Sequence, residues 1–169
     1  MEREIEKPGK IETKKARKAS GGKNAWMHTI LKVYEPADRP TALTSPSCVA
    51  ELIKNILASE GESSEQEHVW VLGLDGKNKL KMLQLASLGG LSFASVDPRV
   101  IFRALLLNAC TGFAVVHNHP SNDPTPSQED VELCERIRKG AELLGYRMLD
   151  FLIIGNDGLF LSFAEVGYL

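Results

Sequence analysis

The residues with the clearest capacity for chemistry fall in one short stretch, His117-Asn118-His119-Pro120-Ser121-Asn122-Asp123-Pro124-Thr125-Pro126-Ser127-Gln128-Glu129-Asp130. On a strand, positions two apart face the same side about 6.6 Å from each other, so His117 and His119 project together. Two neutral imidazoles on one face can converge on a divalent metal, and a carboxylate completes a three-ligand site with one position open for water. Asp130 is placed to be that carboxylate, in the first turn of a helix whose free amides favour negative charge. Pro120, Pro124 and Pro126 restrict the intervening loop, so bringing it back costs little entropy. His-x-His alone is a weak signal, and Ser127-x-x-Asp130 before an apolar run is also a capping box. The two readings are compatible, since Ser127 can cap the helix while Asp130 binds metal. The weight lies in the coincidence of two of only four histidines, a proline-rigid loop and a carboxylate at a strand's C-terminal end, where open α/β sheets place ligands.

Several elements must position these groups. Gly112 to Asn118 is apolar on both parities, as in a strand covered on both faces. Ser127 to Leu144 carries Val131, Cys134, Ile137, Ala141 and Leu144 at helical spacing and stops at Gly145. Upstream, His28 to Tyr34 reads as a short strand ended by Pro36 and Pro40. Ser45-Pro46-Ser47 opens a helix with Val49, Ile53, Ile56 and Leu57 on its apolar face. Glu67 to Asp75 and Leu80 to Ser87, joined by Gly76-Lys77-Asn78-Lys79, read as a hairpin or meander. Asp97-Pro98 starts a helix with Val100, Ile101, Ala104, Leu105 and Leu107 inward, and Arg147 to Gly155 and Leu159 to Phe163 close the chain as strands. The mixed order predicts an α/β fold, a mixed sheet sandwiched by helices.

The chain has 169 residues, 20 Lys+Arg against 22 Asp+Glu, a net charge of -2 and 43% hydrophobic residues. That is one ordinary globular domain, not a disordered chain, coiled coil or whole-surface polycation. Its apolar runs fall far short of a membrane span and Met1 opens a charged stretch, so a cytoplasmic location and no membrane partner are expected. Three cysteines without a CxxC pair suit reduced thiols, with Cys110 and Cys134 as core residues. Residues 1–24 hold eight Lys/Arg and four Glu and end near Ser20-Gly21-Gly22. They read as a flexible basic arm on a body, residues 25–169, of net charge -6. A nucleic-acid partner is therefore expected only through that arm. His28 and His68 are not expected as ligands, and Gly89-Gly90 reads as a turn because no phosphate-loop pattern surrounds it. The zinc-deaminase pattern is excluded: His119 is followed by Pro120 and Ser121, and there is no P-C-x-x-C.

At these residues the sequence resembles the JAMM (MPN-type) metalloproteases, whose pattern is an upstream Glu, His-x-His, seven residues, Ser, two residues and Asp. His117, His119, Ser127 and Asp130 meet that spacing in full. More closely the chain resembles the bacterial RadC family through Glu67-His68-Val69-Trp70-Val71-Leu72, Leu74-Asp75-Gly76-Lys77-Asn78, Pro98-Arg99-Val100-Ile101-Phe102-Arg103 and His117-Asn118-His119-Pro120-Ser121. The likeness runs from about Thr44 to Leu169. Asn122 stands where the family usually has Gly, and Val100 where it usually has Glu. Asn tolerates left-handed backbone, and Val100 lies outside the ligand set. The N-terminal helix-hairpin-helix region of longer members has no counterpart in this reading, where the basic arm takes its place.

The resemblance implies a cytidine-deaminase-like α/β fold and one zinc on His117, His119 and Asp130, with water in the fourth position. It implies Glu67 as general base, with Glu65 the fallback on the same strand face, and Ser127 as a hydrogen-bond donor to the developing oxyanion. The implied reaction is hydrolysis of a peptide or isopeptide bond in a peptide or protein substrate, with Ser87 to Ser95 a candidate groove segment by analogy. The rival expectations are a non-enzymatic DNA-repair-associated factor and a peptide-binding factor that retains its metal.

Overall fold

The computed structural model describes residues 12–13, 33–35, 43–60, 66–88, 96–155 and 157–169. The rest of the basic arm, His28, Pro36, Pro40, Glu65, Gly89-Gly90 and most of Ser87 to Ser95 lie outside the described residues. The sheet runs in the order β1-β2-β4-β3-β5-β6-β7. Its strands are β1 (Glu12–Thr13), β2 (Val33–Glu35), β3 (His68–Leu74), β4 (Leu80–Leu88), β5 (Gly112–His119), β6 (Arg147–Gly155) and β7 (Phe160–Ser162). β5 and β6 are parallel and every other neighbouring pair is antiparallel. The sheet is therefore mixed, as the element order requires.

β5 lies inside the sheet, between β3 and β6, and its first seven residues are buried. Strand alternation divides it between two cores. Phe113 and Val115, with Val69, Val71, Phe151 and Ile153, pack under α2 (Pro98–Leu107) and α3 (Gln128–Leu144) through Ile101, Phe102, Leu105, Cys134, Ile137 and Ala141. Val116, with Trp70, Leu72, Leu83, Leu152 and Ile154, packs on the opposite face under α1 (Pro46–Glu60) through Val49, Ile53 and Ile56. Cys110 and Cys134 are core residues, as expected.

The helix boundaries follow local chemistry. Ser45 Oγ accepts from the Cys48 amide at the start of α1, and Asp97 caps α2 with Pro98 at its first position. Ser127 caps α3, and α3 ends on Gly145 in left-handed backbone (φ 72°), the conformation glycine adopts without steric cost. Three expectations at element ends are corrected. Leu107 and Leu144 are 79% and 50% exposed: at 100° per residue Leu107 points away from the buried Ile101 and Leu105, and Leu144 lies in the last turn of its helix. Phe163 does not end a strand but opens a short helix, α4 (Phe163–Val166), whose turn is capped by Ser162. Of the predicted first strand, Val33–Glu35 includes its end and is strand, and residues 28–32 lie outside the described residues.

Candidate metal centre

His117 and His119 leave the C-terminal end of β5 on the face covered by α3, and Asp130 meets them from the first turn of that helix. The three residues can each offer one ligand atom, all within 4.8 Å of one another. His117 Nδ1 lies 2.9 Å from Asp130 Oδ1, and His119 Nε2 lies 3.2 Å from Asp130 Oδ2. The rings of His117 and His119 stand edge to face, 4.9 Å between centroids. His117 and Asp130 are only 5% and 4% exposed, so these contacts are made with little water.

Ser127 and Asp130 form the capping box in full. The Asp130 amide donates to Ser127 Oγ at 3.1 Å, and the Ser127 amide donates to Asp130 Oδ2 at 2.9 Å. The Ser127 hydroxyl also donates to Asp130 Oδ2, at 2.7 Å. The cap and the cluster thus share one carboxylate. Burial pushes the Asp130 carboxyl up, but hydrogen bonds from His117, His119 and Ser127 outweigh it and hold the group far below the ordinary carboxylate range. The Asp130 hydrogen bond raises His119 above its ordinary 6.5 against the opposing effect of burial, helped by the Asp123 carbonyl.

The donor set fits a metal. His119 Nδ1 is 2.8 Å from the Asp123 carbonyl and must donate its proton there. In the neutral ring this leaves the Nε2 lone pair facing a carboxylate oxygen, an arrangement that calls for a proton or a cation between them. Glu67, immediately before β3, turns its Oε2 to within 3.8 Å of His117 Nε2. Both atoms are buried, and neither has a hydrogen-bond partner among the described residues. Each such orphan costs about 1–3 kcal/mol. A cation held by the imidazoles, with a water beside it, would satisfy both. The two core thiols do not compete as ligands: burial pushes Cys134 up to about 12 and raises Cys110, keeping both protonated.

All five residues singled out from sequence, Glu67, His117, His119, Ser127 and Asp130, meet at this end of the sheet. His68 is elsewhere: its ring stacks on Trp70, 4.9 Å away and 7° from parallel, on the α1 side. Two supports escaped sequence reading. One is the Asp123 carbonyl, which no side-chain pattern can reveal. The other is the bond that Asn122, at φ 67°, makes through Oδ1, which accepts the Asp157 amide at 3.0 Å and ties the loop to the β6–β7 turn. Its left-handed backbone is the conformation that the usual Gly at this position suggests. Gly155 lets the loop approach, because a Cβ there would lie 2.8 Å from the Asn122 carbonyl oxygen.

A mixed α/β sheet presenting two histidines and a helix-borne aspartate, with an unpaired glutamate beside them, has the form of a metal-dependent hydrolase fold. The particular family is given by sequence: residues 43–168 match the RadC-like JAB domain, and the chain belongs to that family. It is 40% identical over 127 residues to a UPF0758 protein of Caldanaerobacter subterraneus, covering 75% of this chain and 52% of that protein. It is 42% identical over 125 residues to one of Geotalea uraniireducens, covering 73% and 52%, and 36% identical over 140 residues to one of Clostridium botulinum, covering 82% and 58%. The chain spans about half the length of these relatives. Among the described residues no helix is long and apolar enough to cross a membrane.

Proposed function

We propose that this domain is a zinc-dependent peptidase that hydrolyses a peptide or isopeptide bond in a peptide or protein substrate. The observation that carries the reading is the pair of unpaired buried atoms, Glu67 Oε2 and His117 Nε2, 3.8 Å apart beside the Asp130 cluster. Two imidazoles and one carboxylate form a donor set of the kind found at catalytic zinc, three protein ligands with a fourth position open. Zinc held there supplies a lowered water pKa, near 7, and a polarised carbonyl.

The remaining chemistry belongs to the chain. Water attacks the carbonyl carbon while its proton passes to Glu67 Oε2, which no donor within the described residues occupies. Glu67 then returns the proton to the amine nitrogen as the C–N bond breaks, so one carboxylate serves as base and acid. The Asp123 carbonyl holds His119 in the tautomer that directs Nε2 at the site. Ser127 is the proposed donor to the oxyanion, a role worth about 10²–10³ in rate. To fill it, the hydroxyl must rotate away from Asp130 Oδ2 while the Ser127 amide keeps the cap.

The test is metal analysis of protein purified without a histidine tag, followed by peptide-library digestion. Wild type is expected to hold one zinc per chain and His119→Ala none, while Glu67→Gln keeps zinc and loses cleavage. A wild type without stoichiometric zinc under non-chelating conditions would overturn the mechanism.

A further inference from the structure

We propose that Asn118 is the positioning residue for Glu67: its side-chain amide grips the peptide groups on both sides of Glu67 and so holds that carboxylate over the metal cluster. The proposal rests on Glu67 being the proton carrier. Asn118 lies between the two ligand histidines in sequence, but strand alternation turns it to the opposite face of β5. It is 1% exposed, and an amide so deeply buried must find hydrogen-bond partners.

Its partners bracket Glu67. Oδ1 accepts the His68 amide at 2.6 Å, and Nδ2 donates to the Gln66 carbonyl at 3.0 Å. One donor and one acceptor of fixed identity leave the side chain a single orientation. The β3–β5 pairing ends at Val69 opposite His117, so the chain carrying Glu67 lies beyond the ladder. The Asn118 amide takes over where the ladder stops. Gln66 is held further, since its carbonyl lies 2.8 Å from His68 Nδ1, on the ring that stacks against Trp70.

Positioning follows from the register. Glu67 is two residues before Val69, which pairs with His117, so its side chain falls on the histidines' face while Asn118 works from the other. One residue therefore ties the base to the same strand that carries both imidazoles. A displacement of 1 Å in such a group can cost about 10²-fold in rate. Among the described residues, the Asn118 side chain bonds to the two residues flanking Glu67.

The experiment uses the zinc-loaded full chain and acetohydroxamic acid, which loses its N–O–H proton to an adjacent carboxylate as the anion binds the metal. Titration calorimetry is expected to show Glu67→Gln weakening the probe by about 10- to 100-fold, the size of one charge-assisted hydrogen bond. Asn118→Ala, still holding one zinc per chain, is expected to weaken it similarly. The double variant should bind no more weakly than Glu67→Gln alone, because the same contact is lost only once. If Asn118→Ala does not fold, Asn118→Asp, which keeps the acceptor for His68 and loses the donor to Gln66, takes its place with the same expected non-additivity. An Asn118 variant that binds the probe like wild type, or losses that multiply in the double variant, would overturn the positioning role alone. A zinc-free wild type, or Glu67→Gln binding like wild type, would overturn the proposed function and the positioning role with it.

Discussion

Asp130→Asn separates the helix cap that one carboxylate makes from the metal ligation proposed for it. An asparagine in the same rotamer, its amide oxygen in place of Oδ2, keeps both bonds from Ser127, at 2.9 and 2.7 Å. Its NH₂ replaces Oδ1 and can donate to His117 Nδ1 at 2.9 Å. What disappears is the charged pairing with His119 at 3.2 Å, worth about 1.5–3 kcal/mol and partly offset because no charge is then buried. The metal-free variant should therefore fold, melting at most several degrees below wild type. Zinc at 100 times its dissociation constant stabilises the wild type by about 2.7 kcal/mol. For a domain of this size that is roughly 10 °C in Tm. The variant has lost its anionic ligand and should keep less than about 2 °C of that increment. Circular dichroism melts of both proteins, in chelator and in excess zinc, measure all four values. A zinc increment in Asp130→Asn equal to that of wild type refutes Asp130 as a ligand, and a variant unfolded in chelator refutes the account of the cap.

Three further outcomes are expected. In chelator, Asp130's lowered pKa contributes stability that is complete above the ordinary 3.8 and lost as pH falls through the folded value. His119's raised pKa contributes stability that is complete below 6.5 and lost as pH rises through its folded value. The Tm of metal-free protein should thus be highest between those two values; a Tm that climbs steadily from pH 6 to 9 contradicts the assignment. Gly155→Ala places a Cβ 2.8 Å from backbone oxygen of Asn122, which should cost about 1–3 kcal/mol and weaken zinc in competition with a chromophoric chelator. Asn122→Gly keeps the φ of 67° and loses only the bond to Asp157, about 1 kcal/mol by denaturant titration, whereas Asn122→Val should lose more because a β-branched residue is strained there.

Much of the site was legible because its parts lie close in sequence. His117 and His119 share a strand face by period two alone, and Ser127 and Asp130 share a helical turn through the capping box. The buried strand, the helix starts at Pro46 and Pro98 and the stop at Gly145 rest on similarly local chemistry. Leu107 and Leu144 were misread for different reasons. Leu107 was grouped with the inward residues although 100° per residue turns it away from Ile101 and Leu105, whereas Leu144 shares the inward direction but lies in the last turn of its helix and stays half exposed.

By itself, then, the sequence determined the candidate ligand types, their spacing and the proline-rich loop between them, since these depend on backbone geometry over a few residues. The tertiary structure decided what acts across distance. It brought Glu67, just ahead of β3, to 3.8 Å from His117, set the Asp123 carbonyl against His119, and placed the Asn118 amide over the peptide groups flanking Glu67. The physical reason is that hydrogen bonds to backbone groups carry no residue signature. Moreover, two stretches of the chain 50 residues apart acquire a common register only when the sheet pairs them.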